Sequence, residues 1–317
     1  MYYAISHLTL YQYSEPISDS VMELRMHPRS DGIQRVIRFN LNVSPDTRIF
    51  SIKDYLNNTI HHFNIPALHE SLAIKAEAIV EVKQPPPLPD TLPESAWDEI
   101  DRAVQDRDLY DFLLDGKYTQ ATFLLSQFAQ EVNWQRRGDP LSLVRELNSI
   151  IYDAFEYQSG VTRVDSLIDE ALSARRGVCQ DFTHIMLTML RQVGIPARYV
   201  SGYLFHRTDV GDRSDEDATH AWLEAWLPSL GWVGFDPTNN LIVGNRHVRV
   251  NISKDYANAS PSRGIFRGNA STELEVGVQV KQLDELPYEH VELAPEMAMP
   301  RYQYYQAPKQ SQQQQQQ

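Results

Sequence analysis

Short stretches in which apolar and polar residues alternate fill the start of the chain. Tyr2–Tyr13, Val36–Val43, Arg48–Tyr55, Thr59–Ile65 and Leu72–Val82 are rich in β-formers and are separated by turn-like segments such as Ser44-Pro45-Asp46-Thr47 and Leu56-Asn57-Asn58. Side chains of a strand alternate between two faces, so this pattern predicts a β-sandwich-like domain over residues 1–84. Lys83-Gln84-Pro85-Pro86-Pro87-Leu88-Pro89 then breaks it. Proline fixes φ and lacks an N–H, so residues 85–93 read as an extended linker.

Beyond the linker the apolar spacing changes to three and four residues over Glu94–Asp106, Leu109–Leu114, Gln120–Val132 and Pro140–Phe155. Leu141, Val144, Leu147, Ile150 and Ile151 make one buried stripe behind an Asp139-Pro140 helix start. A short helix over Leu167–Ser173 precedes a longer one beginning at Cys179, with Phe182, Ile185, Met186, Met189, Leu190 and Val193 on one face and Gly194 and Pro196 as its stop. His220–Leu227 returns to period two. Ala221, Leu223, Ala225 and Leu227 form an apolar face, and His220, Trp222, Glu224 and Trp226 the other. Pro228-Ser229-Leu230-Gly231 supplies a turn, and Trp232–Asp236 comes back with Val233 and Phe235 inward and Asp236 opposite. The fold class is α+β, with a helical segment and the mixed core over 94–275, a C-terminal extension over 276–306 and a disordered glutamine-rich tail over 307–317.

Composition narrows the setting. One cysteine in 317 residues forms no intramolecular disulfide, so the core alone holds the fold, as in a reducing compartment. The start has no basic segment followed by an apolar one, and no run approaches eighteen apolar residues, which predicts a cytoplasmic protein without membrane association. A net charge of -13 disfavours nucleic acid and anionic membranes as partners. There is no glycine-rich phosphate loop, zinc-ligand spacing or EF-hand pattern, so no cofactor and no metal are expected. The oligomeric state is not legible.

The candidate chemistry lies between Arg175 and Asn240. Cys179 falls in the first turn of its helix, where unpaired N–H groups and the positive end of the dipole favour a thiolate. A buried structural thiol is the other reading of a lone cysteine. His220 and Asp236 share one face of the predicted hairpin as direct or diagonal neighbours. A carboxylate beside an imidazole fixes its tautomer and supports its cation, and that imidazole can activate a thiol. His184, five residues past Cys179, points away around the helix and reads as a packing residue. The charged stretch Arg207–Asp217 reads as a flexible loop at the cleft edge.

Three segments carry a family resemblance. Gly177-Val178-Cys179-Gln180-Asp181-Phe182, Asp217–Trp226 and Gly231–Asn239 resemble the three core motifs of the bacterial transglutaminase-like proteins, often described as cysteine proteases. The β-rich start is similar to their N-terminal associated domain, and the stretch from His247 to Gly264 to the segment following their core. The resemblance implies a papain-like core, with the cysteine helix packed on an antiparallel sheet. It implies Cys179 as nucleophile, His220 as general base and then acid, and Asp236 as the orienting residue.

The implied reaction is acyl transfer on a peptide or protein amide through a cysteinyl thioester. The backbone N–H of Cys179 and the hydroxyl of Tyr157 are candidate oxyanion donors. Trp222, Glu224, Trp226 and Trp232 are candidates for lining the substrate cleft, and Glu224 alternatively pairs with Arg198 or Arg175. Three functions follow: a thiol hydrolase of amide or isopeptide bonds, foremost a peptidase; an amine-dependent crosslinking acyltransferase; or a non-catalytic binding module.

Overall fold

The computed structural model describes residues 1–105, 107–207 and 211–286. Within 1–82 there are five strands: β1 (Tyr2–Leu24), β2 (Gln34–Ser44), β3 (Phe50–Lys53), β4 (Thr59–Ile65) and β5 (His69–Val82). Near the far end of the described chain, β13 (Ser262–Arg267) and β14 (Thr272–Leu283) return to join them. β1 belongs to two ladders. Its Tyr2–Tyr13 half runs between β5 and β14, and its Ser18–Leu24 half between β4 and β13. Met22, Leu24, Phe63 and Ile65 from one ladder meet Leu72, Ile74 and Ala76 from the other in a buried layer, which makes the domain sandwich-like.

Two sequence expectations need correction here. β1 does not stop at Tyr13: the strand continues to Leu24 while changing partners. The expected boundary between 275 and 276 falls inside β14, and β13 already belongs to the N-terminal sheet. Tyr2 pairs with Leu283, so the edge of the first domain is completed from the other end of the chain. The expected extension beyond residue 286 and the tail over 307–317 lie outside the described residues.

Residues 83–94 carry no strand or helix. Helices α1 (Ala96–Ala103), α2 (Arg107–Tyr110), α3 (Phe123–Glu131) and α4 (Pro140–Ala154) follow. Asp139 caps α4 by accepting from the N–H groups of Leu141 and Ser142, with Pro140 in the first turn as its missing donor allows. Strand β6 (Glu156–Tyr157), helix α5 (Ile168–Ala174), strand β7 (Arg176–Gly177) and helix α6 (Cys179–Gln192) come next. The second sheet is formed by β8 (Ala197–Leu204), β9 (His220–Leu227), β10 (Gly231–Asp236), β11 (Leu241–Ile242) and β12 (His247–Ser253). Its order is β11-β10-β9-β8-β12, antiparallel throughout.

Both faces of this sheet are covered. The aliphatic face of β9 packs on α6, where Phe182, Ile185, Met186, Met189 and Leu190 are sealed from solvent; each such side chain is worth about 1.5–3 kcal/mol. On the opposite face Val200, Trp222 and Ile252 are buried together with Leu56 of the N-terminal domain against them. The two domains meet again where Tyr203, Val248 and Val250 pack with Tyr3, Ile5, Val80 and Val82. α6 is a central helix, and its buried Arg191 donates to the carbonyls of Phe112, Ala197 and Lys254 and to Thr119.

Candidate active site

The path into α6 is set by a chain of local constraints. α5 ends at Arg175, whose backbone is left-handed at φ 52°, and the Arg175 guanidinium lies over the rings of Phe128 and Phe155 and pairs with Glu131. Gly177 follows because a Cβ there would lie 2.5 Å from Asp181 Oδ2. That carboxylate accepts from the Val178 N–H at 2.8 Å and the Thr162 hydroxyl at 2.6 Å, holding the start of the helix. Asp181 is thus a buried capping group. Burial pushes its carboxyl up to about 6 against the pull of those two donors. Cys179 occupies the first helical position and is half-buried, with its carbonyl taken by the Thr183 hydroxyl at 2.7 Å.

His220 opens β9 and Asp236 closes β10. Phe235 pairs with Leu223, so the next residue, Asp236, comes level with Trp222 and diagonal to His220. The His220 Nε2–H donates to Asp236 Oδ2 at 2.8 Å, and both side chains are buried. The same oxygen accepts from Asn239 Nδ2 at 2.9 Å and from His247 Nε2 at 3.3 Å. Asp236 Oδ1 accepts from the N–H groups of Thr238 and Asn239. Burial would raise the Asp236 carboxyl, yet the His220 charge and hydrogen bond, and after them His247, hold it well below the usual carboxylate range. For His220, burial disfavours the cation, but the charge and hydrogen bond of Asp236, with a further contribution from Cys179, lift it to about 10. The ring is thus a cation at neutral pH, influenced by Asp236 and by the thiol.

Tyr157 is brought beside this group: in the two-stranded parallel ladder it pairs with Gly177, two residues before Cys179. Burial and then the charge at Cys179 push its hydroxyl upward, so it stays protonated. That hydroxyl donates to the Asp215 carboxylate at 3.1 Å, which also accepts from the Ser159 hydroxyl at 2.7 Å. To act as an oxyanion donor, the Tyr157 hydroxyl has to exchange Asp215 for the substrate oxygen.

Of the four residues expected along the cleft, Trp222 stacks on the His220 ring at 5.9 Å without opening to solvent, and the other three lie elsewhere. Trp222 is fully buried among Val200, Ile252, Leu56 and Val243. Glu224 is buried between Arg198, at 2.6 Å, and Arg249, at 3.1 Å, while Arg175 is engaged by Glu131. For these two the cause is shared: the face of β9 that carries them is covered by the N-terminal domain instead of opening to solvent. Trp226 and Trp232 face each other across the hairpin, and Trp226 is six residues along β9 from His220, about 20 Å at strand spacing. Phe112 and the Arg198 guanidinium cover Trp232. His184 is buried as a packing residue, accepting from the Tyr256 N–H and stacked on Tyr118. Of the loop read over Arg207–Asp217, residues 208–210 lie outside the described ones. Its Ser214 is held by Asn239, and Arg213 donates to the Tyr152 carbonyl.

His247 escapes the sequence reading as a site residue. The alternation His247-Val248-Arg249-Val250 marks a strand, but nothing local says that it begins beside Asp236. Among the described residues, His220, Asp236 and His247 form a group whose potential metal-ligand atoms lie within 4.8 Å of one another. Both imidazole Nε2 atoms point at one carboxylate oxygen, an arrangement that protons between them already satisfy.

A thiol at a helix start, a histidine and a buried carboxylate are groups that thiol-dependent acyl transfer can use. Comparison with known proteins gives the family. Residues 126–237 match the transglutaminase-like superfamily and residues 3–81 the bacterial transglutaminase-like N-terminal region. An uncharacterized protein of Mycobacterium leprae is 32% identical over 281 residues, spanning 88% of this chain and 98% of its own. The chain belongs to the transglutaminase-like superfamily. A candidate cysteine protease from Cytophaga hutchinsonii has the same fold, with a TM-score of 0.69 at 23% identity over 93% of this chain and 95% of its own. A protein-glutamine gamma-glutamyltransferase of Pseudomonas aeruginosa is 32% identical over 119 residues, 33% of this chain and 16% of that protein.

Proposed function

We propose that the protein is a thiol-dependent hydrolase of amide or isopeptide bonds, acting on a peptide or protein through Cys179, His220 and Asp236. The observation that carries this reading is the buried His220–Asp236 hydrogen bond of 2.8 Å beside the chain's only thiol. The Cys179 thiolate attacks the amide carbonyl carbon, and the carbonyl electrons move onto oxygen. The Cys179 N–H, in the first turn of α6, is the backbone donor available to that oxyanion. As the C–N bond breaks, the His220 imidazolium delivers its proton to the departing amine, leaving a thioester and a neutral imidazole. Water then attacks the thioester, giving its proton to His220, and the acid product leaves as the thiolate and imidazolium are restored.

An acceptor amine in place of water would form a new amide and make the protein a crosslinking acyltransferase. The local similarity to the glutamyltransferase favours this as the second reading. Peptide amides and a glutaminyl peptide, incubated with and without a fluorescent primary amine, distinguish the two. Acid release without amine incorporation is expected, and incorporation would move the assignment to transfer. Cys179→Ala is expected to abolish both with an unchanged melting temperature, and an active Cys179→Ala protein would overturn the mechanism.

A further inference from the structure

His247 comes from β12, at the opposite edge of the sheet from the β10–β11 pair, yet its ring reaches Asp236. It is buried, with its Nε2 3.3 Å from Asp236 Oδ2 and its Nδ1 without a hydrogen-bond partner. Its ring meets Trp222 edge-on at 5.1 Å, and the His220 ring lies 6.2 Å away. Gly202, on the intervening strand β8, leaves the space: a Cβ there would stand 2.7 Å from the Trp222 ring. A neutral imidazole has one N–H, and the atom facing a carboxylate must carry it. The Nε2–H tautomer is therefore the one that fits.

We propose that His247 is a positioning residue, whose Nε2–H holds the Asp236 carboxylate in the orientation that receives His220. Asp236 Oδ2 accepts from three side chains, of which His220 is the one that also interacts with Cys179. Asn239 is three residues from Asp236 and moves with its turn, whereas His247 ties that oxygen to a separate strand. Without His247 the carboxylate loses its one side-chain anchor outside its own turn and the His220 bond, and the imidazole loses orientation with it. The role rests on the function proposed above, since it acts through His220.

Alkylation of Cys179 by iodoacetamide at pH 7 tests this without a substrate, because the chain holds no other thiol. His247→Phe keeps a ring and removes the donor, while His247→Gln keeps a donor. Loss of one hydrogen bond to a charged group is expected to slow His247→Phe by about tenfold, with His247→Gln within about threefold of the natural protein. A folded His247→Phe protein that reacts at the natural rate would overturn the proposal, as would His247→Gln as slow as His247→Phe. Should His247→Phe fail to fold, nitrogen NMR of the natural protein decides: Nε2–H is expected on His247, and an Nδ1–H tautomer overturns it. Slow alkylation of the natural protein itself would instead count against the proposed function.

Discussion

Asp236→Asn replaces one oxygen by NH2 and removes the charge on which His220 depends. The N–H groups of Thr238 and Asn239 hold the amide oxygen at the Oδ1 position. The new NH2 then faces the side-chain nitrogens of His220, Asn239 and His247, donors against donors. In the natural protein His220 rises from 6.5 to about 10 in spite of burial. At about 1.4 kcal/mol per pH unit, that rise is worth about 5 kcal/mol in favour of the cation. With burial left and only Cys179 opposing it, the variant's His220 is expected to be neutral at pH 7.5. Nitrogen NMR titration reads this directly, and alkylation of Cys179 at pH 7 should slow by about tenfold or more as the imidazolium is lost. The sign of the stability effect follows. The His220 contribution is complete below about 6.5 and is lost as pH rises through about 10; that of Asp236 is present above about 4 and is lost as pH falls through its lowered native value. The stability gap between the two proteins should be widest from about pH 4 to 6.5 and narrow above it. A folded Asp236→Asn protein whose His220 remains charged at pH 8 would refute the reasoning.

Two further substitutions probe the support beneath the site. Glu224→Ala leaves Arg198 and Arg249 facing each other in a largely buried position, and chemical denaturation should show a loss of about 3 kcal/mol; a loss below about 1 kcal/mol would mean that the pair is solvated in solution. Gly202→Ala places a methyl 2.0 Å from the Val248 carbonyl oxygen as well as against Trp222. Overpacking of this kind costs about 1–3 kcal/mol, and the melting temperature should fall; an unchanged melting temperature would show that β8 and β12 can part there.

Much of the site is legible in the chain because its parts are local. Cys179 is marked by the helix that begins at it, and His220 and Asp236 by a hairpin whose period and turn place them together. The helices before them announce themselves through apolar spacing and, at Asp139-Pro140, a cap. What surrounds these parts is not local. Gln34 accepts from the Arg249 N–H and donates to its carbonyl across 215 positions of sequence. Arg249 in turn joins Asp31 to Glu224. No periodicity reports that contact, and without it the face of β9 bearing Trp222 and Glu224 reads as open to substrate.

By itself, then, the sequence determined which segments alternate, which coil, and which three side chains could meet across one helix start and one hairpin, because these depend on neighbours a few residues apart. Only the tertiary structure decided that β13 and β14 complete the first domain, that this domain covers the second face of the core sheet, and that His247 joins Asp236. Each of these depends on burying apolar surface and satisfying polar groups between distant segments, a condition met only when the whole chain has closed on itself.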